Sequence, residues 1–385
     1  MGVSLFFSSV LLVLYVFGGY PLYLGWLVRL RSRLVQRACY QPAVSVILAV
    51  HNGEGYLGRK LDSLLALEYP KEKMEILVVS DGSTDGTDRI AGSYAEKGVR
   101  LLQVRQGGKA LALNAGMGAS RHPVLVFTDV RQTLAPDSLG LLMENLADPS
   151  VGAASGELVI RKGKSLEETS VGLYWRYEVW IRRRLSAIDS IFGATGAYYA
   201  LRRELAVPIP ADTLLDDVYL PLAAFFRGYR LVLDSRVHMY DEPTRLPDEF
   251  WRKVRTLAGN YQVMRAYPRL LAPRCLGGNR LWLHFVSYKL ARLLAPFLLA
   301  AVLFTSFALP APWRGAALTA QAAFYALGAL DLLLPERSKA KRVTSIARTF
   351  LTLMAASACA AVILLVPGAQ LWKPTRLTGI ESTET

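Results

Sequence analysis

Cysteine is scarce in this sequence. Only three of its 385 residues are cysteines, and Cys39, Cys275 and Cys359 lie far apart along the chain. Scattered thiols of this kind make neither a zinc-ligand spacing nor a disulfide framework. The sequence also has no internal repeat and no low-complexity segment. These absences exclude a fold that depends on zinc or on disulfide bonds.

Charge is missing from the first apolar segment, which runs from Val3 to Val28. The basic residues follow that segment instead, at Arg29, Arg31, Arg33 and Arg37. A secretory signal peptide would place its basic residues before a shorter apolar core. We therefore expect an uncleaved membrane anchor over residues 1–28, and the positive-inside rule places its N-terminus outside.

Three more apolar runs lie near the C-terminus, and each approaches the roughly 20 residues that a bilayer core requires. They are Leu283–Leu309, Gly315–Leu334 and Thr344–Val366. The loop at 335–342 is rich in Lys and Arg, which predicts that this loop and the central domain are cytoplasmic. We expect a cytoplasmic catalytic domain at 29–280, a membrane domain of about three helices at 281–372 and a polar tail at 373–385.

Two charged residues fall inside these predicted membrane segments, near the cytoplasmic ends of adjacent helices. Asp331 and Arg348 are costly there unless they pair or reach the interface. An ion pair is geometrically feasible, and snorkelling to the headgroups is the alternative that the sequence slightly favours.

The net charge of +14 suggests nucleic acid as one class of partner. The Lys and Arg residues cluster beside the apolar segments, where anionic lipid is the commoner partner. We therefore expect a membrane partner and no nucleic acid. The amphipathic segment near 246–267 is expected to lie at the membrane surface.

Short β-branched runs alternate with helical stretches in the first half of the central domain. The runs that read as buried strands are Val44–Val50, Glu75–Ser80, Val99–Val104 and Val124–Thr128. Helical stretches separate them at Gly55–Leu67, Thr84–Lys97 and Lys109–Ala119. This pattern predicts an α/β fold with a doubly wound, mostly parallel sheet, whose ligands bind at the carboxyl ends of the strands.

Polar residues follow the first three predicted strands. The first strand leads to the segment His51-Asn52-Gly53-Glu54, and the second ends at Asp81. The third precedes Gly107-Gly108-Lys109 at a helix start, an arrangement that suits an anionic phosphate. Each motif alone also fits ordinary turn or capping chemistry.

Two acidic motifs complete the pattern. Asp129 follows four apolar residues at the tip of a strand, where a carboxylate is costly unless it binds a cation or caps a turn. The pair Asp216-Asp217 precedes a predicted helix at Val218–Phe226. Such a pair either stabilises the positive end of the helix or performs acid–base chemistry.

These five motifs, in this order, resemble the family 2 inverting glycosyltransferases of the GT-A fold, and the likeness covers Val44 to about Gln262 with the flanking membrane segments. The resemblance implies a nucleotide-sugar donor, with UDP as the usual carrier. It implies nucleotide binding by His51, Asn52, Glu54, Asp81 and Lys109, and a divalent cation (Mg or Mn) on Asp129. It also implies catalysis by Asp216 and Asp217, with Asp217 as the base.

The sequence departs from the family pattern at three motifs. Family members often have an aromatic residue before the Asn and a Glu directly after it, where this sequence has His51 and Gly53, with Glu54 one place later. The second carboxylate of the metal-binding motif is replaced by Arg131, which would repel a cation unless it contacts the diphosphate. The Gln-x-x-Arg-Trp element of processive members falls on Arg252 to Thr256 and keeps Arg255. We therefore expect Lys109, Arg131, Arg252 and Arg255 at the diphosphate. Arg131 weakens the metal assignment, and the changes at Arg252 and Thr256 weaken the case for a processive enzyme.

Two segments are candidates for binding the acceptor. Trp175 and Tyr177 could stack on sugar rings, and an ordinary core stripe explains them equally well. The segment Gly193-Ala194-Thr195-Gly196 resembles the acceptor loop of the family, although a tight turn accounts for it nearly as well. Gly193, Thr195 and Gly196 are its candidate residues.

The resemblance implies an enzyme that moves a sugar from a nucleotide donor to a growing β-linked surface or secreted polysaccharide. An alternative of almost equal weight is a single addition to a polyprenyl-linked or other lipid acceptor. A remote alternative is an inactive nucleotide-sugar-binding regulatory subunit. Export of a polymer would need a partner subunit or self-association. The expected location is the bacterial inner membrane, as a multi-pass protein.

Overall fold

The chain divides into two compact units, which we describe separately. A computed structural model describes residues 2–160, 166–241, 246–335, 338 and 340–366, and for 166–173 and 246–249 it describes the backbone alone. The first unit comprises 1–30, 162–181 and 243–373, and the second comprises 31–161, 182–242 and 374–385. The expected polar tail at 373–385 lies outside the described residues.

The second unit is built on one eight-stranded sheet. In chain order its strands are β1 Val44–Val50, β2 Met74–Asp81, β3 Val99–Val104, β4 Val124–Thr128, β5 Thr133–Leu134, β6 Val151–Ile160, β7 Tyr198–Arg202 and β8 Arg230–Asp241. Their spatial order is β3-β2-β1-β4-β7-β6-β8-β5. The chain thus runs outward from β1 through β2 to β3, and then returns to the other side of β1 to form β4. This change of direction makes a topological switch point between β1 and β4.

The four predicted strands are confirmed, and they form the parallel half of the sheet. β1, β2 and β4 are buried over nearly their whole length, as expected for strands that are covered on both faces. Their parallel register places the residues that follow β1, β2 and β4 at one edge of the sheet. β7 runs antiparallel to β4, with Tyr198 opposite Thr128, so the segment that precedes β7 reaches the same edge.

Helices connect these strands. The second unit contains α2 Glu54–Leu65, α3 Thr87–Ser93, α4 Lys109–Ala119, α5 Ser138–Glu144 and α7 Asp216–Phe226, and it includes the last part of α6 Leu166–Ile188. α4 packs closely on β1 and β2 because Gly116 has no side chain. A Cβ atom at Gly116 would lie 2.6 Å from Cγ2 of Ile47. α4 therefore holds its N-terminus, which carries Lys109, at the carboxyl edge of the sheet.

The first unit consists of helices. Three of them are long and apolar enough to cross a membrane: α1 Gly2–Leu30, α9 Trp282–Ser306 and α11 Lys341–Leu364. The unit also contains α8 Leu246–Ala266 and α10 Trp313–Leu330. One anchor near the N-terminus and two apolar helices near the C-terminus are compatible with association with a membrane.

The second of the three expected C-terminal spans, Gly315–Leu334, differs from expectation. It forms α10, a helix of 18 residues that is not among the helices apolar enough to span a bilayer. Its sequence is rich in alanine and also includes the polar residues Arg314 and Gln321. Length and composition therefore support two C-terminal spans in the described residues instead of about three.

Asp331 and Arg348 form an ion pair, although the sequence slightly favoured snorkelling. Oδ2 of Asp331 lies 3.2 Å from Nη1 of Arg348 and 3.6 Å from Nζ of Lys341. Oδ1 of the same carboxylate accepts a hydrogen bond of 2.7 Å from the Thr344 hydroxyl. The carboxylate is fully buried, and these contacts compensate its charge.

Candidate active site

Asp81 ends β2 and binds the glycine pair that follows β3. Its two carboxylate oxygens accept hydrogen bonds from the backbone amides of Gly107 at 2.8 Å and Gly108 at 2.9 Å. Gly108 has a φ of +90°, a backbone conformation that favours glycine. Asp81 therefore shapes the loop that leads to Lys109, and this contact accounts for its burial.

The segment after β1 binds the segment after β2. Nδ1 of His51 donates to the carbonyl of Asp81 at 2.7 Å. Asn52 has a φ of +50°, and its side-chain oxygen accepts a hydrogen bond of 2.8 Å from the amide of Thr84. His51 and Asn52 thus join the two loops at the carboxyl ends of adjacent strands, where nucleotides bind in doubly wound sheets.

Glu54 has a structural role in the same region. Its Oε2 accepts a hydrogen bond of 3.0 Å from the amide of Gly86, and its Oε1 pairs with Arg89 at 3.3 Å. A Cβ atom at Gly86 would lie 2.2 Å from Oε1 of Glu54, so the Glu54 carboxylate packs directly against the backbone of Gly86. The expected contact of Glu54 with a nucleotide stays a prediction.

Lys109 lies between two of the candidate carboxylates. Its Nζ is 2.9 Å from Oδ1 of Asp129 and 3.2 Å from Oδ1 of Asp216. Burial alone would lower the pKa of Lys109, but Asp129, Asp216 and Asp217 outweigh it and hold that pKa above its ordinary value. Lys109 is therefore a permanent cation at the centre of an acidic cluster.

Asp217 is a carboxylate of this cluster with a raised pKa. Burial and the neighbouring Asp216 raise the pKa of Asp217 to about 6, against the opposing charge of Lys109. Asp216 and Asp217 occupy the first turn of α7, so they also favour its positive end. The capping and acid–base interpretations of this pair are therefore compatible. A carboxylate with such a pKa is suited to accept a proton near neutral pH.

The glycine-containing loop at 193–196 packs against Asp217. The amide of Ala194 donates to the Asp217 carbonyl at 2.8 Å. A Cβ atom at Gly196 would lie 3.0 Å from Oδ2 of Asp217, and one at Gly193 would lie 2.7 Å from Cγ2 of Val218. The loop is therefore both a tight structural turn and a wall of the acidic cluster, with Thr195 between its two glycines.

Arg182 is a site residue that the sequence did not identify. It donates to the Thr195 hydroxyl and to the Gly193 carbonyl, each at 3.1 Å. Its charge also lowers the pKa of Asp217. The run Arg182-Arg183-Arg184 resembles a basic surface patch, and nothing in it separates Arg182 from its neighbours.

Arg131 pairs with Asp241 at the end of β8. Gln132 donates to Oδ2 of the same carboxylate at 2.9 Å. The positive charge that replaces the second acidic residue of the motif is thus compensated by an acidic residue 110 positions away. The expected contact of Arg131 with a diphosphate stays a prediction.

Residues 45–207 match the family model described as glycosyl transferase family 2. The chain carries a family 2 glycosyltransferase domain. Asp81, Lys109 and Asp129 lie inside the matched residues, and Asp216 and Asp217 follow shortly after them. The mixed sheet with its parallel half is the GT-A type of fold expected from the sequence.

Two curated relatives are similar to more than half of this chain. The chain is 26% identical over 241 residues to "Probable glycosyltransferase YdaM" of Bacillus subtilis, covering 58% of this chain and 56% of that protein. It is 25% identical over 231 residues to a poly-beta-1,6-N-acetyl-D-glucosamine synthase of Staphylococcus aureus, covering 57% and 55%. The alignments therefore span about half the length of the curated relatives.

A solved structure is similar over nearly the whole chain. It is described as the mannosyltransferase PcManGT from Pyrobaculum calidifontis in complex with GDP-Man and Mn2+. The TM-score is 0.71 with 25% identity, and the match covers 94% of this chain and 99% of that one. The likeness extends beyond the family 2 domain to the segments that flank it.

Asp129 is the candidate ligand for a divalent cation in the family 2 domain. The Asp129 side chain is 36% exposed and offers one carboxylate, which already accepts a hydrogen bond from Lys109. Within the described residues no group of three or more His, Cys, Asp or Glu side chains could hold a metal ion. Asp129 would thus fit as one ligand of a cation whose other ligands would come from bound nucleotide and water.

Four other expected site residues belong to the first unit. Arg252 and Arg255 lie on α8, and Trp175 and Tyr177 lie on the first part of α6. Lys253 lies 5.0 Å from the ring centre of Tyr174 and 5.9 Å from that of Trp175. The guanidinium of Arg292 lies 5.7 Å from the ring centre of Tyr177. Aromatic and basic side chains thus form a cluster in this unit, and their roles in binding stay predictions.

Proposed function

We propose that this protein is a membrane-associated, inverting glycosyltransferase that uses a nucleotide sugar. The observation that carries the proposal is the position of Asp217, with a pKa of about 6, beside Lys109, Asp129 and Asp216. A family 2 domain and a similar mannosyltransferase structure support the same activity.

In the proposed reaction an acceptor hydroxyl attacks the anomeric carbon of the donor. The new bond joins the acceptor oxygen to that carbon, and the bond between the carbon and the diphosphate oxygen breaks. The hydroxyl proton passes to Asp217, and the nucleoside diphosphate leaves with the bonding electrons. Because the acceptor displaces the diphosphate directly, with one base and no protein nucleophile, the configuration of the anomeric carbon is inverted.

Lys109 stabilises the leaving group in this scheme. Negative charge develops on the diphosphate as the bond breaks, and a fixed ammonium beside it lowers the energy of the transition state. When a Mg or Mn ion is bound, it supplies further charge neutralisation, and Asp129 is the residue that would hold it. Asp81 and the segment 51–54 hold the loops against which the nucleotide would lie.

We infer a polysaccharide acceptor first, because a curated relative is named as a poly-beta-1,6-N-acetyl-D-glucosamine synthase. A single-addition enzyme is the second candidate, favoured by likeness to a mannosyltransferase over 94% of this chain. The two candidates differ in donor as well. UDP-sugars suit the first, and GDP-mannose is the donor in the similar structure.

Turnover by the full chain purified in detergent tests the proposal. We would screen UDP- and GDP-sugars with Mg2+ or Mn2+ and measure release of the nucleoside diphosphate. Asp217→Asn should abolish release, and Asp137→Asn, which changes an exposed aspartate at the start of α5, should leave it intact. Release that persists in Asp217→Asn would refute the role of Asp217. Nucleotide binding without release from any donor would instead favour a regulatory subunit.

A further inference from the structure

Lys60 is a buried lysine on α2 beneath the segment that carries Asp129. Its residue exposure is 1%, which places it among the largest fully buried side chains. Within the described part of the chain it forms no ion pair with a carboxylate. A lysine is rarely buried in this way without a specific partner, because removing its ammonium from water is costly. The hydrogen bonds of the Lys60 ammonium should therefore explain why a lysine is buried at this position.

Lys60 contacts the last residue of β4 and the far end of the turn that follows it. Its Nζ donates to the Thr128 hydroxyl at 2.7 Å and to the Gln132 carbonyl at 2.8 Å. Thr128 and Gln132 bracket the turn that contains Asp129 and Arg131. One side chain therefore joins the two ends of this turn from below.

The same contact extends to the loop beside Asp217. The Thr128 hydroxyl donates its own proton to the Ala197 carbonyl at 2.8 Å, so its oxygen is free to accept from Lys60. The Ala197 carbonyl also accepts from the amide of Asp129 at 3.4 Å. Lys60, Thr128 and Ala197 thus form a chain of hydrogen bonds between α2 and the segment that precedes β7.

α2 also connects this turn to the loop after β1. The helix begins at Glu54, directly after His51 and Asn52. One turn beyond Lys60, the Ser63 hydroxyl accepts from the amide of Leu134 at 2.8 Å. Two side chains of one helix, Lys60 and Ser63, therefore contact the segment from Thr128 to Leu134.

We propose that Lys60 is a positioning residue that fixes the Asp129 turn relative to the segment 51–54, which leads into α2 and against which the nucleotide would lie. This inference rests on the proposed function for its effect on the donor, since Asp129 would hold the divalent cation there. An apolar residue of similar size would fill the same space but could not bind Thr128 and Gln132. The lysine is therefore needed for geometry at Asp129, in addition to packing.

The test compares Lys60→Met with Lys71→Met in the full chain. Methionine keeps most of the apolar volume of lysine and removes its donors. Lys71 is the control because its Nζ also donates two hydrogen bonds, to the carbonyls of Leu65 at 2.6 Å and Leu67 at 2.7 Å, away from the Asp129 turn. We expect Lys60→Met to raise the donor KM and the half-saturating Mn2+ concentration about tenfold, with a smaller change in kcat. Lys71→Met should change neither.

Hydrogen exchange separates this inference from the proposed function. Amides of the segment 128–132 should exchange faster in Lys60→Met than in the parent protein. In Lys71→Met the same amides should exchange at the parent rate. Thr128→Val should add little to Lys60→Met, because both changes break the same chain of hydrogen bonds. Unchanged exchange at 128–132 would overturn the inference even if the protein transfers sugar. Faster exchange in a protein without turnover would sustain the positioning role and reject the enzymatic one.

Discussion

The Nζ atom of Lys109 lies 2.9 Å from Oδ1 of Asp129, the carboxylate at the tip of β4. The same ammonium is 3.2 Å from Asp216, so one cation joins the end of a strand to the start of α7. The two acidic motifs are 87 residues apart in sequence (216 − 129). Lys109 therefore assembles the candidate site as well as carrying charge for the reaction.

Replacing Lys109 by methionine should lower turnover at least about 100-fold, because the leaving diphosphate loses a fixed cation. The variant should also move the acidic limb of the pH–rate profile to higher pH, since Lys109 lowers the pKa of Asp217. Both effects are read from nucleoside diphosphate release between pH 5 and 9. Lys109→Arg keeps the charge and should retain more activity. Equal loss in both variants, with no shift in the profile, would indicate that Lys109 only packs.

The pH dependence of the parent enzyme should report Asp217. As a base it must be ionised, so turnover should fall as the pH drops through about 6. Ionised Asp217 itself opposes folding at higher pH, because its pKa is raised from its ordinary value of 3.8 to about 6. Its stabilising contribution is full below about pH 4 and is lost as the pH rises through about 6.

Asp217→Asn should therefore raise the thermal stability of the protein while it removes activity. The gain at pH 7.5 should be about 2 kcal/mol or less, and it should shrink towards zero near pH 4. Thermal unfolding at both pH values, followed by circular dichroism, measures the difference. A variant that is less stable than the parent at pH 7.5 would mean that the ionised carboxylate makes compensating contacts.

The sequence predicts the parallel half of the sheet and most of the acidic cluster for one physical reason. Strands that are covered on both faces are continuous apolar runs, and the residues that end them are conspicuous when they are polar. β1, β3 and β4 begin and end at the predicted residues. The partners of buried charges are less predictable. Neither Asp241 beside Arg131 nor Thr128 beside Lys60 has a local pattern, because both contacts depend on how distant segments meet.

Arg182 should act on the reaction through the loop at 193–196. Arg182→Met removes the hydrogen bonds to Thr195 and Gly193 and one positive charge near Asp217. We expect a higher acceptor KM and an acidic limb displaced to higher pH, measured as nucleoside diphosphate release at varied acceptor concentration. Arg183→Met is the control, because Arg183 pairs with Glu157 at 2.7 Å on an exposed surface. An unshifted profile in Arg182→Met would show that Arg182 only supports the loop.

Asp331 should be essential for the stability of the helices at the C-terminus. Its buried carboxylate contacts Lys341, Arg348 and Thr344, so Asp331→Asn leaves two cations without this partner. Loss of one member of a buried ion pair costs about 3 kcal/mol, because the remaining charge is poorly solvated. We expect a lower midpoint of thermal unfolding in detergent.

Arg348→Met in the Asp331→Asn background should recover part of this loss, since it removes one of the two cations that the carboxylate compensates.

Gln321→Leu on α10 is the control variant. Gln321 is a neutral polar residue of the same unit, and its side chain donates to Ser306 at 2.8 Å. It should lower the midpoint by less than Asp331→Asn, because only a neutral hydrogen bond is lost. If Asp331→Asn and Gln321→Leu are equally stable and Arg348→Met restores nothing, the charge of Asp331 does not contribute to holding α10 and α11 together.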